Sequence, residues 1–257
     1  MKCILIVAAL DNGGGAGLLQ DQRTAEALGF RAVFAVTGLT NQNDDGLQEI
    51  RAVPADFLRS QIRLMRTSYP IAGVKIGAIC SGEQVEVLRE ELGGLHPVIL
   101  DPVLNPTRGT GFLNEAGQVE LTRLFPTFDL LTPNLPELKR LARITGIPGR
   151  SPEVLARLLC ERFGTYIYVK GGHGTERRLH EWLVGPGSVD CFDRPRLSWK
   201  YAHGTGCMFS TAVLCYWLRG LSLREACEQG ALFTALHFQQ INEAGYGDGE
   251  VQPIGFH

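Results

Sequence analysis

Along most of this chain, short apolar runs alternate with segments whose apolar residues recur at helical spacing. That alternation constrains the fold more than any other feature. Strands are expected at Cys3–Leu10, Ala32–Leu39, Gly73–Ile76, Pro97–Leu100, Leu130–Thr132 and Tyr166–Val169. Helices are expected at Gly15–Leu28, Pro54–Thr67, Gly82–Leu92, Glu115–Leu124, Asn134–Thr145, Ser151–Phe163, Gly204–Arg219 and Ser222–Ala244. Strand-then-helix order repeated along a chain argues for an α/β fold, a mostly parallel central β-sheet flanked by helices on both faces. Gly174–Tyr201 differs in character. Trp182, Val184, Val189 and Cys191 alternate around Gly185-Pro186-Gly187, which reads as a small hairpin extension. No linker, repeat or low-complexity segment divides residues 1–257, so a single domain is expected.

Composition narrows the function classes. The formal net charge is −2 with 20% charged residues, which argues against nucleic acid or a membrane surface as partner. An anionic ligand must then be held locally, by backbone N–H groups and one or two cations. Seven cysteines are scattered without a CxxC pair, which argues against zinc and reads as thiols of a reducing cytoplasm. The apolar start, Met1 to Leu10, looks superficially like a signal peptide. It is too short to span a membrane and runs directly into Asp11 and a glycine cluster, so it reads as a buried first strand.

Sheets of this kind bind ligands at the carboxyl ends of their strands, and the unusual residues fall there. In His203-Gly204-Thr205-Gly206-Cys207 a glycine turn feeds an apolar helix. Converging amides of Gly204, Thr205 and Gly206 and the positive end of the helix dipole would suit a phosphate. The same field is expected to favour the thiolate of Cys207. A plain helix start is the competing reading of this turn taken alone. Lys170, at the end of a buried strand and before Gly171-Gly172, is placed either to meet a polyphosphate or simply to be solvated. Asn134 and Glu137 in Thr132-Pro133-Asn134-Leu135-Pro136-Glu137 fit a helix capping box, and equally a carboxylate that holds Mg²⁺ through water. The run Asp11-Asn12-Gly13-Gly14-Gly15-Ala16-Gly17 does not fit G-x-G-x-x-G and reads as a loop over a small substrate. Gln42, in Asn41-Gln42-Asn43, carries a planar amide suited to a heterocycle edge with an acceptor beside a donor. Satisfaction by the backbone of a loop is the other reading.

Taken in order, Asp-Asn-Gly-Gly-Gly-Ala-Gly, Thr-Pro-Asn-Leu-Pro-Glu, Val-Lys-Gly-Gly-His and His-Gly-Thr-Gly-Cys resemble the hydroxymethylpyrimidine / phosphomethylpyrimidine kinase family of thiamin biosynthesis. Val74-Lys75-Ile76-Gly77, Asp101-Pro102-Val103 and the terminal Phe256-His257 extend the resemblance nearly end to end. The resemblance implies a ribokinase-like fold, use of ATP and Mg²⁺, and a homodimer. It implies that Gly204 to Cys207 hold the transferring phosphoryl group, with Cys207 at the position of the catalytic base. Lys170, Asn134 and Gly172 would contact ATP, and Glu137 would organise Mg²⁺. Asp21, Gln42, Ala9, Ala78 and Val103 would line the substrate pocket.

The departures concern the substrate floor. Ala9 and Leu10 stand where the family has glycine and a hydroxyl residue, and Ala78 where methionine is common. Ala202 and Met208 replace threonines beside the glycine turn, and Asn105 to Gly111 lacks the usual lysine-serine-glycine-aspartate pattern. The expected acceptor is an aminopyrimidine alcohol. Pyridoxal is the alternative, and a non-catalytic ligand sensor on the same fold is a third reading.

Overall fold

A computed structural model describes residues 1–43, 46–104, 111–171, 178–197 and 200–245. Among the described residues nine strands form one sheet in the order β3-β2-β1-β4-β5-β6-β7-β8-β9. They are β1 (Cys3–Leu10), β2 (Arg31–Asn43), β3 (Gly46–Ala52), β4 (Ile71–Ile76), β5 (Val98–Leu100), β6 (Leu130–Leu131), β7 (Tyr166–Val169), β8 (Arg178–Gly185) and β9 (Ser188–Pro195). From β2 through β7 every pairing is parallel, while β3 and the β8–β9 hairpin add antiparallel edges. The helices are α1 (Gly17–Ala27), α2 (Ala55–Ser68), α3 (Gly82–Glu91), α4 (Glu115–Thr122), α5 (Leu135–Ile144), α6 (Pro152–Phe163), α7 (Thr205–Leu218) and α8 (Leu223–Glu243).

The period of two along each strand sorts side chains between two cores. Leu5, Val7, Val74, Ile76, Leu100 and Val169 pack with Leu58, Leu88, Leu138 and Leu159 from α2, α3, α5 and α6. Ile4, Ile6, Ile99, Leu130 and Tyr168 face the other way, onto α1, α7 and α8 through Leu18, Phe209, Ala212 and Ala226. Both faces are therefore covered, which is why these strands read as unbroken apolar runs. Lys75 lies between Val74 and Ile76, so the alternation sends its ammonium into the α1–α7 layer.

The chain leaves β1 towards β2 on one side and returns to β4 on the other. The carboxyl ends of β1 and β4 thus flank a topological switch point, the crevice where such sheets bind ligands. The register of β1 against β2 shifts between Ala8 and Leu10, and this places Ala9 at an irregularity beside that crevice.

Two expectations are corrected here. No strand was expected at Gly46–Ala52, and Gln42 was read as lying in a loop. In the structure β2 continues to Asn43 and pairs antiparallel with β3, so Gln42 sits opposite Leu47 on a strand. This edge hairpin is solvent-facing and only Leu47 of β3 is buried, so it lacks the apolar run that marks a strand between two helix layers. Gly172, the terminal Phe256-His257 and the loop residues 105–110 lie outside the described residues.

Candidate active site

The α7 N-terminus is built by glycine geometry. Gly204 caps it at φ 89°, and among the described residues no side chain accepts from its first turn, where Thr205 N makes only a long contact of 3.4 Å to Ala202 O. Helices α3, α4, α5, α6 and α8 differ, because Ser81, Asn114, Asn134, Ser151 and Ser222 each accept a first-turn N–H. The α7 first turn therefore offers amide donors and a dipole end to an external anion.

Lys170 follows β7, where its backbone N–H donates to Pro133 O at 2.8 Å. A methyl group placed on Gly206 would stand 3.0 Å from Lys170 Nζ and 3.4 Å from Asp101 Oδ2. The lysine, the helix start and a strand-end carboxylate thus share one spot. Lys170 Nζ donates to Asp101 Oδ1 at 2.6 Å, and Thr132 Oγ1 donates to the same oxygen at 3.3 Å. Burial works against the Lys170 charge, but the carboxylates of Asp101 and Glu137 outweigh it and raise its pKa. The solvated-lysine reading fails: its side chain is 13% exposed. Asp101 carried no assigned role from sequence. The available signal was an acid at the end of a buried strand, before Pro102.

Asn134 and Glu137 do form a capping box, Asn134 N donating to Glu137 Oε2 at 2.8 Å and Glu137 N to Asn134 Oδ1 at 2.9 Å. This does not exhaust Glu137, since an ionised carboxylate has about four acceptor positions. Burial pushes the Glu137 carboxyl up to about 7 and nearby Asp101 adds to the effect, while Lys170 opposes it. With a value near 7 Glu137 is ionised only in part at neutral pH, and a cation nearby would favour its carboxylate form. Among the described residues, no cluster of three or more His, Cys, Asp or Glu forms an all-protein metal cage.

Cys207 is half-buried in the same first turn, and here the expectation is overturned. Burial pushes its thiol up to about 11; the carboxylates of Asp21 and Asp101 add to this, against a lowering influence of Lys75. The helix dipole had been expected to favour thiolate, but loss of hydration disfavours the charged form more strongly.

Asp21 is also placed differently from expectation. It does not line an open wall: it is fully buried, with Lys75 Nζ 2.6 Å from Oδ2 and Thr211 Oγ1 donating to Oδ1 at 2.8 Å. Burial raises its pKa against the pull of Lys75. Lys75 itself is held charged, its partner Asp21 outweighing the burial that works against it. Lys75 Nζ also lies 3.0 Å from where a Gly77 methyl would stand, so this pair underlies the β4 end of the crevice.

Ala9 and Ala78 are buried, and Ala78 O accepts from Thr37 Oγ1 at 2.7 Å. Val103 borders a cavity of about 10 Å³ with Gly77, Pro102 and Leu104. Gln42 is half-buried; its backbone N–H donates to Asn12 Oδ1 at 2.8 Å, and its side chain helps to lower the pKa of Asp11. Asp11 Oδ1 accepts from Gly13 N at 2.7 Å, and Oδ2 accepts from Ala16 N at 2.9 Å. His203 Nε2 lies 2.9 Å from Asp11 Oδ2, although 192 positions separate the two residues.

A mostly parallel sheet covered by helices on both faces, with a glycine-capped helix start and a buried lysine at the carboxyl ends of its strands, has the ribokinase-like fold. More narrowly, the chain belongs to the phosphomethylpyrimidine kinase family, whose profile matches residues 11–252. A hydroxymethylpyrimidine/phosphomethylpyrimidine kinase of Mycobacterium leprae is 32% identical over 260 residues, covering 98% of this chain and 93% of that protein. A thiamine biosynthesis bifunctional protein ThiED of Geobacter sulfurreducens is 32% identical over 254 residues; the alignment spans 98% of this chain and 52% of that longer protein. Among solved structures, phosphomethylpyrimidine kinase of Clostridium difficile 630 superposes with TM-score 0.79 at 24% identity, covering 92% of this chain and 99% of that one. Pyridoxal kinase of Staphylococcus aureus in complex with AMP-PCP gives TM-score 0.81 at 22% identity, covering 93% and 88%. At these identities the superpositions speak for the fold. Among the described residues no helix is long and apolar enough to cross a membrane.

Proposed function

We propose that this chain transfers the γ-phosphoryl group of ATP to the hydroxymethyl oxygen of 4-amino-5-hydroxymethyl-2-methylpyrimidine, and then a second one to the resulting monophosphate. One observation carries the reading: Lys170 and Asp101 meet the glycine-capped start of α7 at Gly206. The printed names of the relatives supply the acceptor.

Phosphoryl transfer needs little covalent chemistry from a protein, so alignment and charge stabilisation dominate. The acceptor oxygen attacks the γ-phosphorus in line, the bond to the bridging oxygen breaks, and ADP leaves with its electrons. Amides of Thr205, Gly206 and Cys207 hold the charge that spreads over the phosphoryl oxygens. Lys170, with Asn134 and Gly172 in the same nucleotide role, leaves Asp101 to meet the ATP phosphates. Mg²⁺ would be held through water by Glu137, beside Asp101, and would supply charge neutralisation on the phosphates. The acceptor proton passes to the Cys207 sulfur in its minority thiolate form. Ala9, Ala78, Val103 and Gln42 shape the acceptor pocket, while Asp21 acts from below through Lys75.

Pyridoxal is a second acceptor on one observation: Gln42, the residue expected to read the aminopyrimidine edge, stands on an edge strand opposite Leu47 with its backbone N–H tied to Asn12, and its side chain already influences Asp11. Assembly as a homodimer and a cytoplasmic location complete the proposal; all seven cysteines are free thiols, in keeping with a reducing compartment.

The test is a panel of heteroaromatic alcohols with ATP and Mg²⁺, read by product mass. The aminopyrimidine alcohol should gain one and then two phosphoryl groups. ATP turnover without phosphorylation of any alcohol, or no turnover at all, would reject the reading.

A further inference from the structure

The loop after β1 and the turn before α7 come from opposite ends of the chain, yet their backbones touch. A methyl on Gly204 would stand 1.9 Å from Gly15 O, and one on Gly15 would stand 2.2 Å from Tyr201 Oη and 2.7 Å from His203 Cδ2. Gly204 has no room for a side chain unless the two backbones separate, and a side chain at Gly15 would displace the Tyr201 and His203 rings. The turn is held from behind by α8. Asn242 Oδ1 accepts from Tyr201 N at 3.0 Å, and Asn242 Nδ2 donates to Tyr201 O at 2.9 Å. The Tyr201 ring stacks on Phe238 at 6.4 Å.

At the front of this contact stands one carboxylate. Asp11 is 2% exposed and accepts from Gly13 N and Ala16 N, with His203 Nε2 at 2.9 Å. Two of these donors belong to the loop after β1, and the third belongs to the residue preceding Gly204. Burial opposes the Asp11 charge, but hydrogen bonds from His203, Gln42 and Gly13 outweigh it and hold the carboxyl below the usual range. Charge-assisted bonds of this kind are among the stronger ones a protein makes.

We infer that Asp11 and His203 are positioning residues that lock the acceptor loop onto the phosphoryl-holding turn, so that the two half-sites keep one register. This rests on the kinase reading above for its catalytic consequence. Rate falls steeply with misalignment, because about 1 Å of displacement costs on the order of 100-fold. A loop and a turn joined by a hydrogen-bonded carboxylate move together; without it, each follows its own neighbours.

The experiment compares His203→Leu, which removes the donor, with His203→Gln, whose amide N–H reaches about where Nε2 stands. With ATP, Mg²⁺ and the aminopyrimidine alcohol, His203→Leu should lower kcat on the order of 100-fold. Its KM for ATP should stay within about threefold, since the nucleotide groups around Lys170 do not contact this pair. His203→Gln should recover most of kcat. A kcat for His203→Leu within about twofold of the parent, or a Gln variant no better than the Leu variant, overturns the inference. A second readout needs no turnover: hydrogen exchange at the Gly13 and Ala16 amides should quicken in His203→Leu and not in His203→Gln, and unchanged exchange in both also overturns it. Should His203→Leu fail to fold, His203→Asn, too short to reach Asp11, takes its place with the same outcomes. If the parent chain phosphorylates no alcohol, the kinase reading falls by itself and the exchange data still decide whether the lock exists.

Discussion

Consider the thiol of Cys207, which the structure pushes up to about 11. With that value only about one molecule in a thousand carries thiolate at pH 8, against about a tenth for a thiol at its ordinary value near 9. If the thiolate is the proton acceptor, kcat/KM should climb about tenfold per pH unit from 7 to 10 without levelling. Two assays follow. One is the pH profile of phosphoryl transfer with saturating ATP and Mg²⁺. The other is the rate of iodoacetamide modification at Cys207, read by peptide mass, with exposed Cys191 as internal marker. Cys207→Ala should lose on the order of 100-fold in kcat while ATP affinity stays within about twofold. A profile that levels below pH 9, or Cys207 modified at pH 7 as fast as Cys191, would refute the reasoning from burial. Undiminished turnover in Cys207→Ala would remove the thiol from the mechanism and leave the amides of α7. The same shift has a stability consequence. Between the ordinary value near 9 and about 11 the folded chain keeps a proton that the unfolded chain releases, so this thiol makes stability fall as pH rises through that window.

Three further outcomes are expected. Gly204→Ala places a methyl at φ 89°, 1.9 Å from Gly15 O, and should cost about 2 kcal/mol or more, seen as a lowered denaturation midpoint; an unchanged midpoint would contradict the packing described. Gly206→Ala meets the movable end of Lys170 at 3.0 Å, so the fold should survive while KM for ATP rises about 10- to 100-fold, the worth of a hydrogen bond to a charged group; an unaltered KM would separate Lys170 from the nucleotide. Lys75→Met leaves Asp21 buried and unpaired and should destabilise by about 3–5 kcal/mol, whereas Lys75→Met with Asp21→Asn should recover most of that loss in urea titrations; additive losses would show that the pair is not coupled.

How much of this was legible without coordinates varies by residue. Cys3–Leu10 and Tyr166–Val169 were read with their observed ends, because strands covered on both faces are continuous apolar runs. The α5 start announced itself through Asn134, with Glu137 three residues on. Gly46–Ala52 escaped notice because an exposed edge strand needs no apolar pattern. Lys170 was given a role from its place at a strand end, whereas Asp101, also at a strand end, was given none, since nothing local says that residues 69 positions apart share a hydrogen bond.

The order of glycine turns, the strand-end lysine and the capping residues are local properties, and the linear chain determines them: they depend on φ, on a side chain's own donors and on periodicity. Which charge faces which was decided only by tertiary packing. Asp21 lost its expected place on a pocket wall because α1 presses it against Lys75 and Thr211. Cys207 acquired a raised pKa, contrary to its helix position, because burial withdraws the water that would solvate a thiolate. Asp11 and His203 met because β1 ends and α7 begins at the same edge of the sheet. Desolvation and long-range pairing are properties of a folded volume, and no spacing along a chain encodes them directly.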